Sequence, residues 1–228
     1  MSLRDSVWTA LGTVLDPEID APITDLGFVA SCTVSGDGAV SVHLRLPTFY
    51  SAPNFSILMV ADAYDAVSAV GGVTGAEVLL DDHHASAEIN AGVAAHAGFV
   101  RTFPGEADAE LEEVRRYFLE KAVMAGQDRV ARPLVDDGAG PDELADLTLG
   151  AAPPSVDLDR LRRRRAALGL PADDGAPLLL HPDGSRVGSA QVPLHLRRAR
   201  LTRAGLEANG DICTNILATR YADAAGTG

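Results

Sequence analysis

The run from Val14 to Val29, VLDPEIDAPITDLGFV, restricts the fold more than any other stretch of this chain. Ahead of it, Leu3, Val7, Leu11, Val14 and Leu15 fall close to the i, i+4, i+8 spacing of a helix with one apolar face, so a helix is expected over residues 3–15. Asp16-Pro17 ends it, because the residue before a proline is pushed out of the α region. The D-P-E-I residues then read as a turn held by local hydrogen bonds, with Asp16 structural and Asp25 bracing the same turn. Pro22-Ile23-Thr24-Asp25-Leu26-Gly27 leads into a strand. Phe28–Val34 and Ala39–Leu46 form a hairpin around Gly36-Asp37-Gly38. Val40, Val42, Leu44 and Leu46 alternate toward one buried face, and an Asp-Gly pair suits a tight turn. By the same alternation Cys32 joins Phe28 and Val34 on the apolar face, as a small hydrophobe.

Beyond a loop at Pro47–Asn54, a helix is expected over Phe55–Val70, capped by Asn54 or Ser56 and closed by Gly71-Gly72. A short strand, Glu77–Leu80, ends at Asp81-Asp82. Helical pattern resumes over His84–Gly98, over Gly105–Ala125 with an acidic start that complements the helix dipole, and over Leu158–Leu168. Asp136–Pro154 is rich in Gly, Pro and Asp, with one helical piece at 142–147. His181-Pro182-Asp183-Gly184 reads as a turn after Leu178–Leu180, and Tyr221–Gly228 as a disordered end. No internal repeat is visible. The expected class is a two-layer α+β fold, with an N-terminal helix, a β-hairpin and a helix packed on a small mixed sheet. Residues 1–103 make this domain, and 104–228 a mainly helical extension that wraps the first domain and binds a client.

Composition sets the outer limits. Hydrophobic content of 46% and charged content of 22% suit a soluble chain with a core. A net charge of −13 repels phosphates over most of the surface and argues against non-specific nucleic-acid binding. No apolar run approaches the roughly 20 residues of a membrane span, and nothing near Arg4 and Asp5 resembles a signal peptide. The expected address is cytoplasmic, with Cys32 and Cys213 reduced.

The helix, the D-P-E-I turn and the P-I-x-D-L-G lead into a strand together resemble the signature of the small iron–sulfur assembly domains, the domain-of-unknown-function fifty-nine group that includes PaaD and SufT proteins. The resemblance covers roughly residues 3–100. It implies an accessory role in loading iron–sulfur or related metal centres into client enzymes rather than catalysis. In that family the strand-to-helix loop carries a Thr followed by a Cys-Pro pair, the cysteine being the metal or cluster contact. A thiolate there would gain from the helix dipole and unpaired backbone N–H groups. This chain has Thr48, Ser51 and Ala52-Pro53 in that loop. Either the family cysteine is absent, or Ser51 stands where relatives keep a thiol, or Ser51 helps to cap the next helix.

Other residues offer chemistry of their own. His83 and His84 follow two aspartates, and a helix starting near His84 would put His84 and Glu88 on one face, suited to Zn²⁺ or Fe²⁺. Cys213, after the polar turn Gly210-Asp211, is expected to fold back and supply the thiol missing at Ser51. Arg162–Arg165 with Arg197, Arg198, Arg200 and Arg203 make a basic zone, read either as a solvated face or as a dock for an acidic client. No nucleotide-binding or hydrolase motif appears. The leading reading is a factor that installs iron, or a transient iron–sulfur cluster, in a client metalloenzyme subunit. Extended forms of this domain resemble companions of multicomponent diiron monooxygenases. A metal-dependent enzyme built on His83, His84 and Glu88, with zinc as the alternative metal, and a metal-free binding module are the other two readings. Self-association through an exposed edge strand is a further expectation.

Overall fold

The computed structural model describes residues 2–105 and 111–222. Among the described residues it is a mixed α+β fold of eight α-helices and two small sheets. The chain divides into two compact units, one formed by Met1–Val114 with Ala208–Gly228 and the other by Arg115–Glu207.

In the first unit, α1 (Leu3–Leu11) starts at a capping box. Ser2 Oγ accepts from the Asp5 N–H, and the Asp5 carboxylate accepts from the Ser2 N–H. The helix stops at Gly12, earlier than the apolar spacing predicts. Val14 is still buried, and Leu15 enters a two-residue strand, β1 (Leu15–Asp16), paired antiparallel with β2 (Ala21–Pro22). Periodicity alone could not separate these positions from a helix, because a bridge residue and a helical one bury alike.

The D-P-E-I turn forms as expected. Asp16 Oδ1 accepts the N–H groups of Glu18 at 2.9 Å and Ile19 at 2.7 Å. Burial pushes the Asp16 carboxyl up to about 6 against these two hydrogen bonds. The protonated form is therefore favoured by folding, and this contribution is lost as pH rises through that value.

β3 (Val29–Val34) and β4 (Ala39–Arg45) form the predicted hairpin, with a register shift between Val29 and Ser31. The shift breaks the simple alternation at Ala30, yet Cys32 is buried in the core as expected. Gly38 takes φ +88°, and a Cβ there would meet the Gly72 carbonyl oxygen at 2.5 Å, so the turn requires glycine twice over. α2 (Pro53–Ser68) crosses over to β5 (Gly75–Asp81), which pairs parallel to β4. The sheet is therefore mixed, in the order β3-β4-β5. α3 (Ser86–Ala94) and α4 (Phe99–Thr102) follow. Val7, Leu11, Phe28, Val42, Leu44, Val60 and Ile89 lie at the centre of the core.

The second unit is built from α5 (Glu112–Asp136) beyond Val114, α6 (Pro141–Asp146), α7 (Val156–Ala167), a 3₁₀ turn at Ser189–Gln191, and α8 (Val192–Arg220) up to Glu207. The predicted 105–125 helix lies partly outside the described residues and otherwise runs on to Asp136, through Pro133. The expected turn at 181–184 forms, with the His181 N–H on the Ser185 carbonyl at 2.8 Å. α8 is the element the sequence hid. Gly205, Gly210 and Pro193 interrupt its pattern, and Gly210-Asp211 lies inside the helix, not in the polar turn expected there. The expected disorder of 221–228 falls from 223 onward outside the described residues, while Tyr221 is ordered against its own unit.

Buried polar groups organise this second unit. Gln127 grips the backbone of Leu180, accepting its N–H at 2.7 Å and donating to its carbonyl at 3.2 Å. The same amide oxygen lies 3.2 Å from His195 Nε2, which must therefore be the protonated ring nitrogen. Burial holds His195 down at about 4, from an ordinary 6.5. The unfolded chain accepts a proton near the higher value and the folded chain refuses it until the lower one, so stability is expected to fall as the medium is acidified through this window. The loss approaches about 3 kcal/mol at the acid end. His195→Gln keeps an N–H donor and does not titrate. Urea denaturation from neutral pH to about 4 should show most of the acid loss removed in that variant, and an equal loss in both proteins would refute the assignment.

Candidate functional site

The loop between β4 and α2 is shaped by its own hydroxyls. Ser51 Oγ donates to the Thr48 carbonyl at 3.1 Å, and Thr48 Oγ1 in turn lies 3.1 Å from Ser51 Oγ as its donor. The Ser51 N–H also points at the Thr48 carbonyl, at 3.4 Å. Phe49 and Tyr50 project from the tip, 41% and 78% exposed, with their rings edge to face at 5.0 Å. The two adjacent rings put a small apolar spot on the exposed tip of the loop.

α2 starts directly behind this turn. Its N-cap is Ala52, which offers no side-chain cap, and Pro53 occupies the first helical position. Asn54 Oδ1 accepts only from the neighbouring Phe55 N–H, at 2.9 Å, and the Ser56 hydroxyl bonds the Ala52 carbonyl. Neither is the predicted cap, and Ser51 is not one either. The positive end of a 16-residue helix is therefore left beside Ser51.

Two histidines meet the loop from the β5–α3 turn. His83 is 3% exposed. Its Nε2 donates to the Ser51 carbonyl at 2.8 Å, with Ser56 Oγ 3.3 Å away, and its Nδ1 accepts the Ala85 N–H at 3.1 Å. Burial lowers its pKa, helped by His84 and Arg220 and opposed by the Ser51 carbonyl. His83 is thus a neutral strut that ties the loop to the turn. His84 is exposed. Its backbone N–H and its Nδ1 both reach the Phe49 carbonyl, at 3.0 and 3.1 Å. A carbonyl can only accept, so Nδ1 carries a proton, and in the neutral ring Nε2 keeps a lone pair. The His84 ring lies 5.5 Å from that of Tyr50 and 4.4 Å from that of His83.

Thr48, Ser51, His83 and His84 are thereby brought together. The predicted pairing of His84 with Glu88 is not. α3 begins at Ser86, two residues later than expected, so His84 lies outside the helix and the i, i+4 relation never forms. Glu88 is exposed in its first turn. Among the described residues no three His, Cys, Asp or Glu side chains gather closely enough to hold a metal ion. Cys213 does return to the first unit, half-buried at the edge of its core. Burial and the carboxylates of Asp16 and Glu18 push its thiol pKa up, so its setting is the D-P-E-I turn. It stands about 10 Å along the helix axis from Arg220.

Arg220 and Tyr221 are the site residues that sequence reasoning missed. Arg220 donates to the Leu46 carbonyl at 3.1 Å and to the Asp82 carbonyl at 2.8 Å, and pairs with the Asp82 carboxylate at 2.6 Å. The Tyr221 hydroxyl donates to the same carboxylate at 3.1 Å, and the Arg45 guanidinium lies 4.6 Å from the Tyr221 ring centre. Asp82 takes φ +50°, a left-handed conformation that this clamp stabilises. No local pattern marks these residues, since their partners lie more than 130 positions away. Arg220→Ala is expected to loosen the Asp82–Ala85 turn by about 1–3 kcal/mol. Faster amide hydrogen exchange at His84 and Ala85 would register it, and unchanged exchange would show the clamp to be idle.

Comparison with known proteins places the loop in context. Residues 4–79 match the iron–sulfur cluster assembly protein family. This assembly segment makes up about a third of the chain and contains the 47–53 loop, while His83, His84, Arg220 and Tyr221 lie beyond it. The iron–sulfur cluster carrier proteins of Mycobacterium tuberculosis (strain ATCC 25618 / H37Rv) and Mycobacterium bovis are each 39% identical over 79 residues, which is 35% of this chain and 20% of theirs. That of Mycobacterium leprae is 38% identical over the same length. The chain thus spans about a fifth of the length of these curated relatives. Among the described residues no helix is long and apolar enough to cross a membrane.

Proposed function

We propose that the protein is a cytoplasmic accessory factor that holds iron, or an iron–sulfur cluster, in transit and passes it to a client metalloenzyme. In its most specific form the client is a subunit of a multicomponent diiron monooxygenase. The observation that carries the reading is the position of the 47–53 loop, inside the assembly segment, at an uncapped helix N-terminus and against His83 and His84.

The donors in this loop bear on the cargo. Iron–sulfur clusters are held mainly by thiolates, and the loop offers the hydroxyls of Thr48 and Ser51 and the free Nε2 of His84 instead. Oxygen and imidazole suit ferrous iron, and zinc would compete for the same nitrogen. Few ligands and no thiolate mean weak retention, which agrees with a cargo handed on rather than kept.

Anaerobic titration with ferrous iron tests the proposal. His84→Ala is expected to weaken iron binding by about tenfold or more, with the thermal midpoint unchanged because the side chain is exposed. Equal binding by both proteins would overturn the reading. The exposed rings of Phe49 and Tyr50 favour a second reading, a metal-free binding module using the same loop. Recovery of a monooxygenase subunit that is insensitive to chelator would select it.

A further inference from the structure

A cleft of about 280 Å³ opens within the second unit between α5 and α8. Arg132 and Val135 line it from α5, and Pro193, Leu196, Arg197 and Arg200 from α8. The α8 residues stand at i, i+3, i+4 and i+7, the spacing of a single helix face. Asp128 also borders the cleft, but it is buried and its carboxylate is taken by Arg203, Nε to Oδ2 at 2.6 Å. The acidic floor is thereby neutralised within the unit. Arg132 faces Asp136 at 3.8 Å, a half-exposed pair of little strength. Arg197 and Arg200 are exposed and form no ion pair among the described residues.

The rest of the arginine zone is occupied differently. Arg165 and Arg164 are buried, and Arg162 bonds the Ala172 carbonyl and Asp174. Most of the Arg162–Arg165 run is therefore structural, not the solvated face that composition alone allows. Arg163 and Arg198 are exposed away from the cleft, while Arg197 and Arg200 stand together on its rim, on a chain whose net charge is −13. Three guanidiniums around an aliphatic wall complement carboxylates flanking an aliphatic side chain. The planar fork of arginine binds a carboxylate through two hydrogen bonds at once.

We propose that this cleft docks an acidic segment of a partner protein, one in which leucine-sized side chains sit between carboxylates. The inference rests on the client-binding part of the proposed function and is independent of its metal part. The test therefore uses the full chain without iron and a fluorescein-labelled peptide, Glu-Asp-Leu-Leu-Asp-Glu, read by fluorescence anisotropy.

Replacing both leucines of the peptide with serine is expected to weaken binding by about tenfold or more, as loss of buried aliphatic surface requires. The double variant Arg197→Glu with Arg200→Glu is expected to weaken the leucine peptide by at least about tenfold. Val135→Glu, which leaves every arginine in place, should weaken it comparably, so loss of binding is not tied to one pair of substitutions. Circular dichroism melts matching those of the unchanged protein would confirm that the variants fold. Absence of binding by the unchanged protein, equal binding by folded variants, or equal affinity for the leucine and serine peptides would each overturn the proposal. Iron titration of the same variants should be unaltered, so failure of the cleft and failure of the metal site are read separately.

Discussion

Ser51→Cys is expected to make the 47–53 loop, proposed above as a weak oxygen-donor site, retain a cluster through gel filtration. The position is half-exposed, beside the uncapped start of α2, with its carbonyl held by His83. A thiol introduced there meets the positive end of the helix, which lowers its pKa and raises its thiolate fraction at neutral pH. The native thiols are placed less favourably, since burial raises the pKa of both Cys32 and Cys213. Even changes outside the ligand shell move metal affinity by about 10–100-fold, so an added thiolate should raise retained iron by at least about tenfold. The measurement is iron and sulfide content with visible charge-transfer absorbance, after anaerobic reconstitution and desalting. Ser51→Ala is the control and should retain no more than the unchanged protein. If Ser51→Cys retains no more than that control, the loop is not the cargo site.

The second large effect is one of stability, at Arg165. Its side chain is fully buried, and its guanidinium donates to the carbonyls of Pro177 at 2.7 Å and Leu178 at 2.5 Å. Burial pulls its pKa down to about 10, still far above neutrality, so a cation is held inside the unit. Its Nε has no hydrogen-bond partner among the described residues. Arg165→Ala removes the donors, strands two carbonyls and leaves a cavity, for a loss of about 3–5 kcal/mol. That is a large fraction of the stability of an ordinary domain. Arg165→Met fills most of the space and removes the charge, so it should cost less than alanine, by on the order of 1–3 kcal/mol. Urea midpoints for the two variants give the comparison, and an alanine variant as stable as the parent would show that the buried cation contributes nothing.

How much of this could be read in advance follows a physical divide. The hairpin, the crossover helix α2 and the D-P-E-I turn were legible because their determinants are local: alternation at Val40, Val42 and Leu44, glycine at 38, and a carboxylate two and three residues from the N–H groups it accepts. The early end of α1 and the late start of α3 were not, since apolar spacing continues through Val14 and the pair His83-His84 gives no cap signal. In the candidate site, Thr48, Ser51, His83 and His84 could be named from sequence. The role of His83 as a strut could not, because it depends on a carbonyl 32 residues away. Likewise, four consecutive arginines look alike on paper, and only packing separates the buried Arg165 from the exposed Arg163.

The division of the chain has a consequence for how the protein is made. The first unit is left at Val114 and resumed at Ala208. On the ribosome, Leu46 and Asp82 emerge long before Arg220 and Tyr221, and the flank of the core later covered by Leu217 stays open meanwhile. Closing a connection of some ninety residues is slow beside the microsecond events of local folding. The nascent assembly segment therefore spends its first seconds, at the usual pace of synthesis, as an unfinished body whose aliphatic edge is exposed. A fragment cut near residue 103 would keep that condition permanently, and aggregation of such a fragment should not be taken as a property of the whole chain.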